Sequence, residues 1–199
     1  MNMLMVLGSP RKNGNSETLA NAVAVGFSDK SDKGGGAGVT VEMVRLNDLA
    51  IRPCQGCGGC AQTGRCIVAD DMTTLYEKVD AADRLLLVSP VYFYALSAQM
   101  KAFADRFQCR WSRRYLLGRR FRRGEDRLAC LLATAASHGA RLFEASELSA
   151  RYVFDAMDIA QGSSFLIPGL EGRGDAKARP GLLDEAMNFG RRLAERSIG

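Results

Sequence analysis

The chain has 199 residues, of which 47% are hydrophobic, and a formal net charge of +5. This length and composition suit a single domain with one core. No run of about 18 apolar residues is present, which argues against a membrane-spanning helix. The first residues lack the charged and cleavable apolar regions of a signal peptide, so we expect a cytoplasmic protein. In a reducing compartment, six cysteines favour metal or redox chemistry over a disulfide scaffold.

Apolar, strand-like runs alternate with helical patterns, an order that predicts a parallel sheet covered by helices on both faces. We predict strands at 3–8, 39–46, 85–90, 128–135 and 163–168. We predict helices at 16–28, 72–81, 98–115, 142–157 and 181–196, and a flexible glycine-rich loop at 30–38. This order fits an α/β three-layer sandwich with a five-stranded parallel sheet of order 2-1-3-4-5, the flavodoxin-like fold, as one domain over residues 1–199.

The motif LGSPRKNGNS at residues 7–16 joins the first predicted strand to the first predicted helix. Such a turn directs backbone N–H groups and a helix N-terminus to one point, which suits an anion. Ser9, Asn15 and Ser16 add side-chain donors and Arg11 adds a guanidinium, so a phosphate is the expected ligand. The same residues would also fit a helix start in which Ser16 or Asn15 only caps N–H groups. Neither G-x-x-x-x-G-K-[ST] nor G-x-G-x-x-G occurs, which argues against a nucleoside triphosphatase and the usual dinucleotide site.

Two further turns are expected at the same edge of the sheet, because open parallel sheets bind ligands at the carboxyl ends of their strands. The turn SPVYFY at 89–94 carries an aromatic cluster on which a flat ring system could stack. The turn TAASHG at 134–139 contains small residues and His138, the one histidine of the chain. We interpret His138 either as a contact for the edge of a ring or as a surface histidine without a task.

Four cysteines lie within 13 residues in the segment PCQGCGGCAQTGRC: Cys54, Cys57, Cys60 and Cys66. A cubane cluster binds four thiolates, and bacterial ferredoxins supply them as C-x2-C-x2-C-x3-C-P. Here the last spacing is longer and no proline follows. Bare thiols or disulfides and a four-thiolate zinc site are the alternatives, although zinc sites usually combine two separated C-x2-C pairs. We predict a cysteine-rich insertion at about 52–68, and we interpret Cys109 and Cys130 as core or interface residues.

The predicted helix 98–115 carries an apolar stripe at helical spacing, made of Leu96, Met100, Phe103, Phe107, Trp111 and Tyr115. Core packing accounts for its first half. The far end extends beyond a small domain, so we predict a homodimer or homotetramer with the 111–115 end in the interface.

Nine arginines lie between Arg106 and Arg127 against Glu125 and Asp126, a local net charge of +7. A solvated or intersubunit face is the preferred interpretation. Binding the 2′-phosphate of NADPH, docking an acidic electron-transfer partner and, least, binding nucleic acid are the alternatives.

Other charged residues are interpreted as structural. Asp70 and Asp71 precede the helix 72–81 and are expected to cap it. Lys101, Asp105 and Arg106 are expected to be surface charges.

The sequence resembles the NADPH-dependent FMN reductase family of the flavodoxin-like superfamily, closely over about the first 115 residues and loosely thereafter. The matching segments are GSPRKNGNSETLA, CQGCGGCAQTGRCIVADDM and SPVYFYALSAQMKAFADRFQCRW. The cysteine spacing is also similar to that of iron–sulfur flavoproteins, which hold a [4Fe–4S] cluster close to FMN. Other relatives carry similar cysteines without a known cluster.

The resemblance implies a set of cofactor contacts. It implies that the FMN phosphate is held by Ser9, Arg11, Asn15 and Ser16. It implies that the isoalloxazine lies along Pro90, Val91, Tyr92, Phe93 and Tyr94, with Thr134, Ser137 and His138 at its other edge. Relatives commonly have a Gly-Gly turn at this last position, from which AASHGA departs. The four clustered cysteines would bind the [4Fe–4S] cluster.

The resemblance implies an FMN-dependent NAD(P)H oxidoreductase that reduces a flavin, a quinone or another small acceptor. The alternative is an iron–sulfur flavoprotein that carries electrons between protein partners through a [4Fe–4S] cluster and FMN. The four cysteines favour the carrier, and the superfamily as a whole favours the reductase. Because the chemistry belongs mainly to the cofactor, no catalytic side chain is predicted. The expected partners are a small electron acceptor or a redox protein, with neither nucleic acid nor membrane.

Overall fold

A parallel sheet crosses the molecule. The computed structural model describes residues 1–29, 38–122 and 124–195. The strands are β1 Asn2–Leu7, β2 Thr40–Arg45, β3 Arg84–Tyr92, β4 Ala95–Leu96, β5 Leu128–Thr134, β6 Ala160–Gln161 and β7 Phe165–Ile167. Strand β4 forms an antiparallel hairpin with β3, and β7 pairs in parallel with β5. Without these two strands the order is β2-β1-β3-β5-β6, which is the predicted 2-1-3-4-5, and the flavodoxin-like fold is confirmed. The loop predicted at 30–38 lies, except for Gly38, outside the described residues.

Helices cover both faces of this sheet. They are α1 Asn15–Asp29, α2 Cys60–Thr63, α3 Met72–Ala81, α4 Ala98–Asp105, α5 Gln108–Trp111, α6 Glu144–Ala156, α7 Asp175–Ala178 and α8 Leu182–Glu195. Alternate residues of β1 enter two separate cores, as the period of a strand requires. Met3 and Met5 face α1 and α8, whereas Leu4 and Val6 face α3, α4 and α6. The long apolar strands are therefore buried on both sides.

Helices α1 and α8 approach each other at two glycines. A side-chain carbon on Gly26 would overlap the backbone of Met187, and one on Gly190 would overlap the carbonyl oxygen of Val23. The two backbones are thus in direct contact, and α1 and α8 pack side by side in the same core on one face of the sheet.

The predicted fifth strand, 163–168, corresponds to β7, and a further short strand that was not predicted, β6, precedes it. Gly162 lies between them, and a side-chain carbon there would lie 2.7 Å from the Cys130 sulfur. Its N–H donates to the carbonyl of Ala129 over 2.9 Å. The backbone therefore passes close to β5 at a point where a side chain would not fit, and the ladder is interrupted.

The prediction of one continuous helix over 98–115 is wrong, because the helix breaks at Arg106 and Phe107. The carbonyl of Arg106 accepts the Tyr76 hydroxyl at 2.8 Å and the Cys109 thiol at 3.4 Å. The N–H groups of Arg106 and Phe107 bond to carbonyls three residues earlier. The chain then continues as α5 and a π-helical turn, Ser112–Leu116. The first half of the apolar stripe is buried as expected, whereas Trp111 and Tyr115 are exposed by 39% and 50%.

Most of the basic stretch is paired within the chain. Arg110 pairs with Asp80, Arg114 with Asp155 and Asp158, Arg120 with Asp158, and Arg122 with Asp83 and Glu125. Arg127 is 3% exposed and donates to the carbonyls of Val79 and Ala82. The stretch is therefore largely a strip of ion pairs that fastens the segment before β5 to α3 and α6.

Within the ranges that the structure describes, no helix is both long and apolar enough to cross a membrane.

Candidate functional site

Three turns meet at the carboxyl ends of β1, β3 and β5. The N–H of Gly8 donates to the carbonyl of Val88 at 2.8 Å, which holds the first turn against β3. The buried hydroxyls of Ser16 and Thr134 lie 2.7 Å apart, which joins the first turn to the end of β5. The predicted phosphate loop and the third predicted turn are thus brought together, although 118 positions separate the two hydroxyls in sequence.

The loop at 7–16 presents unused donors at the start of α1. The backbone N–H groups of Asn15, Ser16 and Glu17 have no acceptor among the described residues, as is usual for the first turn of a helix. The side chain of Arg11 is exposed and likewise has no partner in the described parts of the chain. Ser9 is buried, and its hydroxyl accepts the N–H of Arg11 at 3.2 Å. The loop is therefore a cationic cradle of donors at a helix N-terminus.

Asn15 does not point its side chain into this cradle. Its amide nitrogen donates to the carbonyl of Gly172 at 2.9 Å, and its amide oxygen accepts the N–H of Ala176 at 3.2 Å. The guanidinium of Arg173 donates to the carbonyl of Lys12 at 2.7 Å. The segment 170–176 thus holds the loop in place through these hydrogen bonds. No local sequence motif marks this segment, and its contact with the loop was not predicted.

The second turn is a tight hairpin with an unusual backbone. Tyr92 pairs with Ala95, and the two residues between them, Phe93 and Tyr94, have φ angles of 50° and 63°. Positive φ at both central residues is the geometry of a type I′ turn, which ordinarily selects glycine or asparagine. Phe93 is fully exposed, and Tyr92 and Tyr94 are exposed by 41% and 47%. Strain combined with exposed aromatic rings is characteristic of a functional surface.

The third turn contacts the second. The hydroxyl of Tyr94 lies so close to Gly139 that a side-chain carbon on Gly139 would overlap it. His138 is exposed, and its ring lies against the α-carbon of Gly169, where a side chain would collide with it. Ser137 is exposed too, and its carbonyl accepts the N–H of Gly169 at 3.3 Å. The absence of side chains at Gly139 and Gly169 thus allows the Tyr94 hydroxyl and the His138 ring to approach the backbone closely.

The four clustered cysteines line one cavity of about 630 Å³. Cys54 and Cys57 lie in an exposed, irregular loop, whereas Cys60 and Cys66 are half-buried. Phe107, Trp111 and Tyr152 also line this cavity. No three metal-binding side chains of the described residues converge as they would around a single ion. Cys109 and Cys130 are buried, as predicted, and burial raises the pKa of both thiols, to about 12 for Cys130.

The cysteine segment packs against the π-helical turn. The Cys60 sulfur lies 3.6 Å from the hydroxyl of Ser112, which is 1% exposed. Gly64 has a φ of 69°, and a side-chain carbon there would lie 2.9 Å from the β-carbon of Arg113. Gly64 therefore permits both the left-handed end of α2 and its close approach to this turn.

Arg106, interpreted as a surface charge, is in fact buried and paired with Asp70. Its Nη1 donates to Oδ2 of Asp70 at 2.6 Å, and the two side chains are 0% and 6% exposed. The same guanidinium donates to the carbonyls of Arg52 and Val68, which flank the cysteines. Burial alone would raise the pKa of Asp70, but hydrogen bonds from Arg106 and from two backbone N–H groups outweigh it and lower the pKa.

The two aspartates before α3 only partly fulfil the predicted capping role. Asp70 accepts the N–H of Met72 at 3.1 Å, whereas Asp71 instead accepts the N–H of Ala50 at 2.7 Å. Asp70 is thus both a cap and the partner of Arg106. Together these bonds fix the two ends of the cysteine segment to the fold.

Comparison with known proteins identifies close and distant relatives. An iron-sulfur flavoprotein of Archaeoglobus fulgidus is 38% identical over 106 residues, which is 53% of this chain and 45% of that protein. One of Methanocaldococcus jannaschii is 34% identical over 106 residues, 53% of this chain and 51% of that protein. The chain thus spans about half the length of the curated relatives it matches.

A solved structure resembles nearly the whole fold. The NAD(P)H:quinone oxidoreductase from Methanothermobacter marburgensis superposes with a TM-score of 0.68 at 19% identity, covering 97% of this chain and 96% of that one. The profile of the family described as NADPH-dependent FMN reductase matches residues 1–167. This match includes all three turns and the four cysteines, and the chain therefore belongs to the NADPH-dependent FMN reductase family.

Proposed function

We propose that this protein is an FMN-dependent NAD(P)H oxidoreductase that reduces a flavin, a quinone or another small acceptor. The observation that carries the proposal is the meeting of three turns at the carboxyl ends of β1, β3 and β5. An anion cradle and an exposed aromatic hairpin lie side by side at the edge where open parallel sheets bind ligands. Membership of the FMN reductase family supports flavin as that ligand.

The phosphate of FMN would bind at the N-terminus of α1. Unsatisfied N–H groups and the free guanidinium of Arg11 match a doubly charged phosphate. Ser9 adds a hydroxyl, and the Ser16 hydroxyl can donate to the phosphate when Thr134 donates to it. Asn15 would contribute its backbone N–H, because its side chain is engaged by residues 170–176. The cradle takes one terminal phosphate and has no dinucleotide fingerprint, so FMN is expected in preference to FAD.

The flavin ring would lie across the two other turns. We assign one side of the ring to Pro90, Val91, Tyr92, Phe93 and Tyr94, and the opposite edge to Thr134, Ser137 and His138. When bound, FMN supplies the redox chemistry, accepting hydride or electrons at its ring. The chain binds the phosphate and fixes the ring between the hairpin and the third turn. The side that carries the exposed aromatic residues of the hairpin stays open to substrates.

A second candidate function is electron carriage through FMN and a [4Fe–4S] cluster between protein partners. The four thiols share one cavity, and two relatives of this chain are named iron-sulfur flavoproteins. A cubane cluster is much larger than one ion, so its ligand sulfurs need not converge as they would on zinc. Cys54, Cys57, Cys60 and Cys66 would bind the cluster. A reducing cytoplasm would keep these thiols available.

The visible spectrum of protein purified without oxygen distinguishes the two functions. A flavin spectrum together with NAD(P)H oxidation supports the reductase, and an additional broad brown shoulder supports the carrier. Loss of FMN from the full chain during purification, with no rebinding, would contradict both.

Iron and acid-labile sulfide per chain test the cluster after anaerobic reconstitution. We expect the wild type to bind both and Cys57→Ser to bind little. Gln55→Ser, an exposed change in the same loop, should behave as the wild type. If the wild type takes up no more iron than Cys57→Ser, the cysteines are not a cluster site and the reductase function stands alone.

A further inference from the structure

Ser112 is a buried hydroxyl whose one side-chain partner in the described structure is a predicted cluster ligand. It is 1% exposed, and its Oγ lies 3.6 Å from the Cys60 sulfur. It begins the π-helical turn Ser112–Leu116, and π-helical turns often occur at functional sites. Ser112 therefore places a buried hydroxyl against a thiol in the wall of the cavity, which points to a role for this hydroxyl at the cysteines.

The direction of this hydrogen bond depends on the state of Cys60. Between a thiol and a hydroxyl, either atom can donate. A cysteine that binds a metal cluster is a thiolate and has lost its proton. Only Ser112 can then donate, so cluster binding would convert an ambiguous contact into an O–H···S⁻ hydrogen bond to a charged acceptor.

Local packing keeps Ser112 in place. Gly64, four residues after Cys60, permits α2 to lie directly on the backbone and β-carbon of Arg113. The carbonyl of Ser112 accepts the N–H of Leu117 at 3.1 Å, which closes the π-helical turn. The serine hydroxyl is therefore held beside the Cys60 sulfur by elements on both sides.

We propose that Ser112 donates a hydrogen bond to the Cys60 thiolate and thereby raises the reduction potential of the [4Fe–4S] cluster. This inference rests on the proposed cluster function. Reduction adds an electron and makes the cluster and its sulfurs more negative, so a donor to sulfur stabilises the reduced form more than the oxidised form. Ser112 is a positioning and tuning residue, since it acts through Cys60.

The test is a mediated redox titration of the anaerobically reconstituted full chain, followed by electron paramagnetic resonance of the reduced cluster. In Ser112→Ala we expect the equilibrium constant for cluster reduction to fall by up to about tenfold, which is about 59 mV for one electron. Ser112→Thr keeps the hydroxyl and should restore most of the potential. Ser146→Ala is the matched control, because Ser146 is also fully buried and its hydroxyl has no partner among the described residues.

Iron and sulfide are measured on every variant, so failure of the cluster and failure of the inference differ. A wild type without iron and sulfide overturns the cluster itself. A fully loaded Ser112→Ala with the wild-type potential, or a Ser146→Ala with the same shift, overturns the role of Ser112. If Ser112→Ala does not fold, the hydrogen bond is tested on the wild type instead. The proton hyperfine couplings of its reduced cluster are then measured in H₂O and in D₂O. We expect a strongly coupled exchangeable proton that Ser112→Thr retains, and its absence from the wild type refutes the hydrogen bond.

Discussion

Arg11 lies in the middle of the loop at 7–16, and its guanidinium has no partner in the described parts of the chain. In the proposed complex, this group makes a charge-assisted contact with the FMN phosphate. We expect Arg11→Ala to weaken FMN binding about thirtyfold, or about 2 kcal/mol, because hydrogen bonds to charged groups have this strength. Fluorescence titration with FMN measures the effect.

Lys12 provides the control for that measurement. Its ammonium group points to Asp48 at 3.5 Å and is largely exposed, so Lys12→Ala should change FMN affinity little. An Arg11→Ala variant that binds FMN as tightly as the wild type would refute the phosphate assignment.

The buried pair of Arg106 and Asp70 is the residue-level support of the cysteine segment. We expect Asp70→Asn to lower the free energy of unfolding by about 3–5 kcal/mol, since it leaves a buried guanidinium without its counter-charge. Asp105→Asn removes only the exposed pair with Lys101 and should cost less than about 1 kcal/mol. Denaturant unfolding of both variants at neutral pH compares them.

This pair also predicts a pH dependence. The folded protein lowers the pKa of Asp70, so the pair stabilises the fold fully above the unfolded value of about 3.9. The stabilisation is lost as the pH falls through the lower, folded pKa. The difference in stability between wild type and Asp70→Asn should therefore shrink below about pH 4. An equal difference at pH 7 and in strong acid would exclude ionised Asp70 as its source.

At the scale of elements, the contact between α1 and α8 predicts that a glycine-to-alanine change in a helix lowers the free energy of unfolding. A glycine-to-alanine change inside a helix ordinarily stabilises by about 0.5–1 kcal/mol. At Gly26 the added carbon would overlap the backbone of Met187, so we expect Gly26→Ala to destabilise by about 3 kcal/mol or more. Thermal unfolding followed by circular dichroism is the measurement.

Gly38 serves as the comparison, because a side-chain carbon there meets nothing within 4 Å. Gly38→Ala should leave the melting temperature unchanged or slightly raised. A Gly26→Ala variant as stable as Gly38→Ala would indicate that α8 can move away from α1 at little cost.

The same scale explains which elements the sequence could predict. Strands and helices whose apolar spacing is local, such as β1 with Met3 and Met5 on one face and Leu4 and Val6 on the other, were predicted correctly. The break between α4 and α5 was not, because Arg106 is drawn inward by Asp70, 36 positions earlier. The spacing of apolar residues along one helix cannot reveal an ion-pair partner elsewhere in the chain.

The candidate site divides in the same way. Ser9, Arg11 and Ser16 follow one strand and lead into one helix, so local pattern was enough to propose a phosphate site. The role of Asn15 in binding segment 170–176 and the left-handed backbone of Phe93 and Tyr94 were not foreseeable. The first depends on a contact across more than 150 positions, and the second is a conformation that aromatic residues seldom adopt.

At the scale of the whole molecule, an apolar patch lies beside the thiol cavity. Trp111, Tyr115, Leu116 and Tyr152 are each at least 39% exposed, and the rings of Trp111 and Tyr115 lie 5.6 Å apart. We expect a homodimer or homotetramer with this patch in the interface, because exposed clusters of this kind usually mark contact surfaces. Light scattering should give a mass well above that of the 21.6 kDa chain.

Leu116→Glu should shift the protein toward the monomer, since it places a charge in the patch. Val25→Glu is the control, an equally exposed apolar residue on α1 away from the patch. A wild type that remains monomeric at all concentrations would rule out this interface.

The loop at 7–16 is held from behind by residues at least 155 positions later in the chain. During synthesis, β1 and α1 therefore leave the ribosome long before Gly172, Arg173 and Ala176 can reach them. Before residues 172–176 have been synthesised, the loop lacks the hydrogen bonds that hold it in place. If this loop binds the FMN phosphate as proposed, we expect tight binding only after α7 has been synthesised and packed, so retained FMN would report that the polypeptide has folded at least that far.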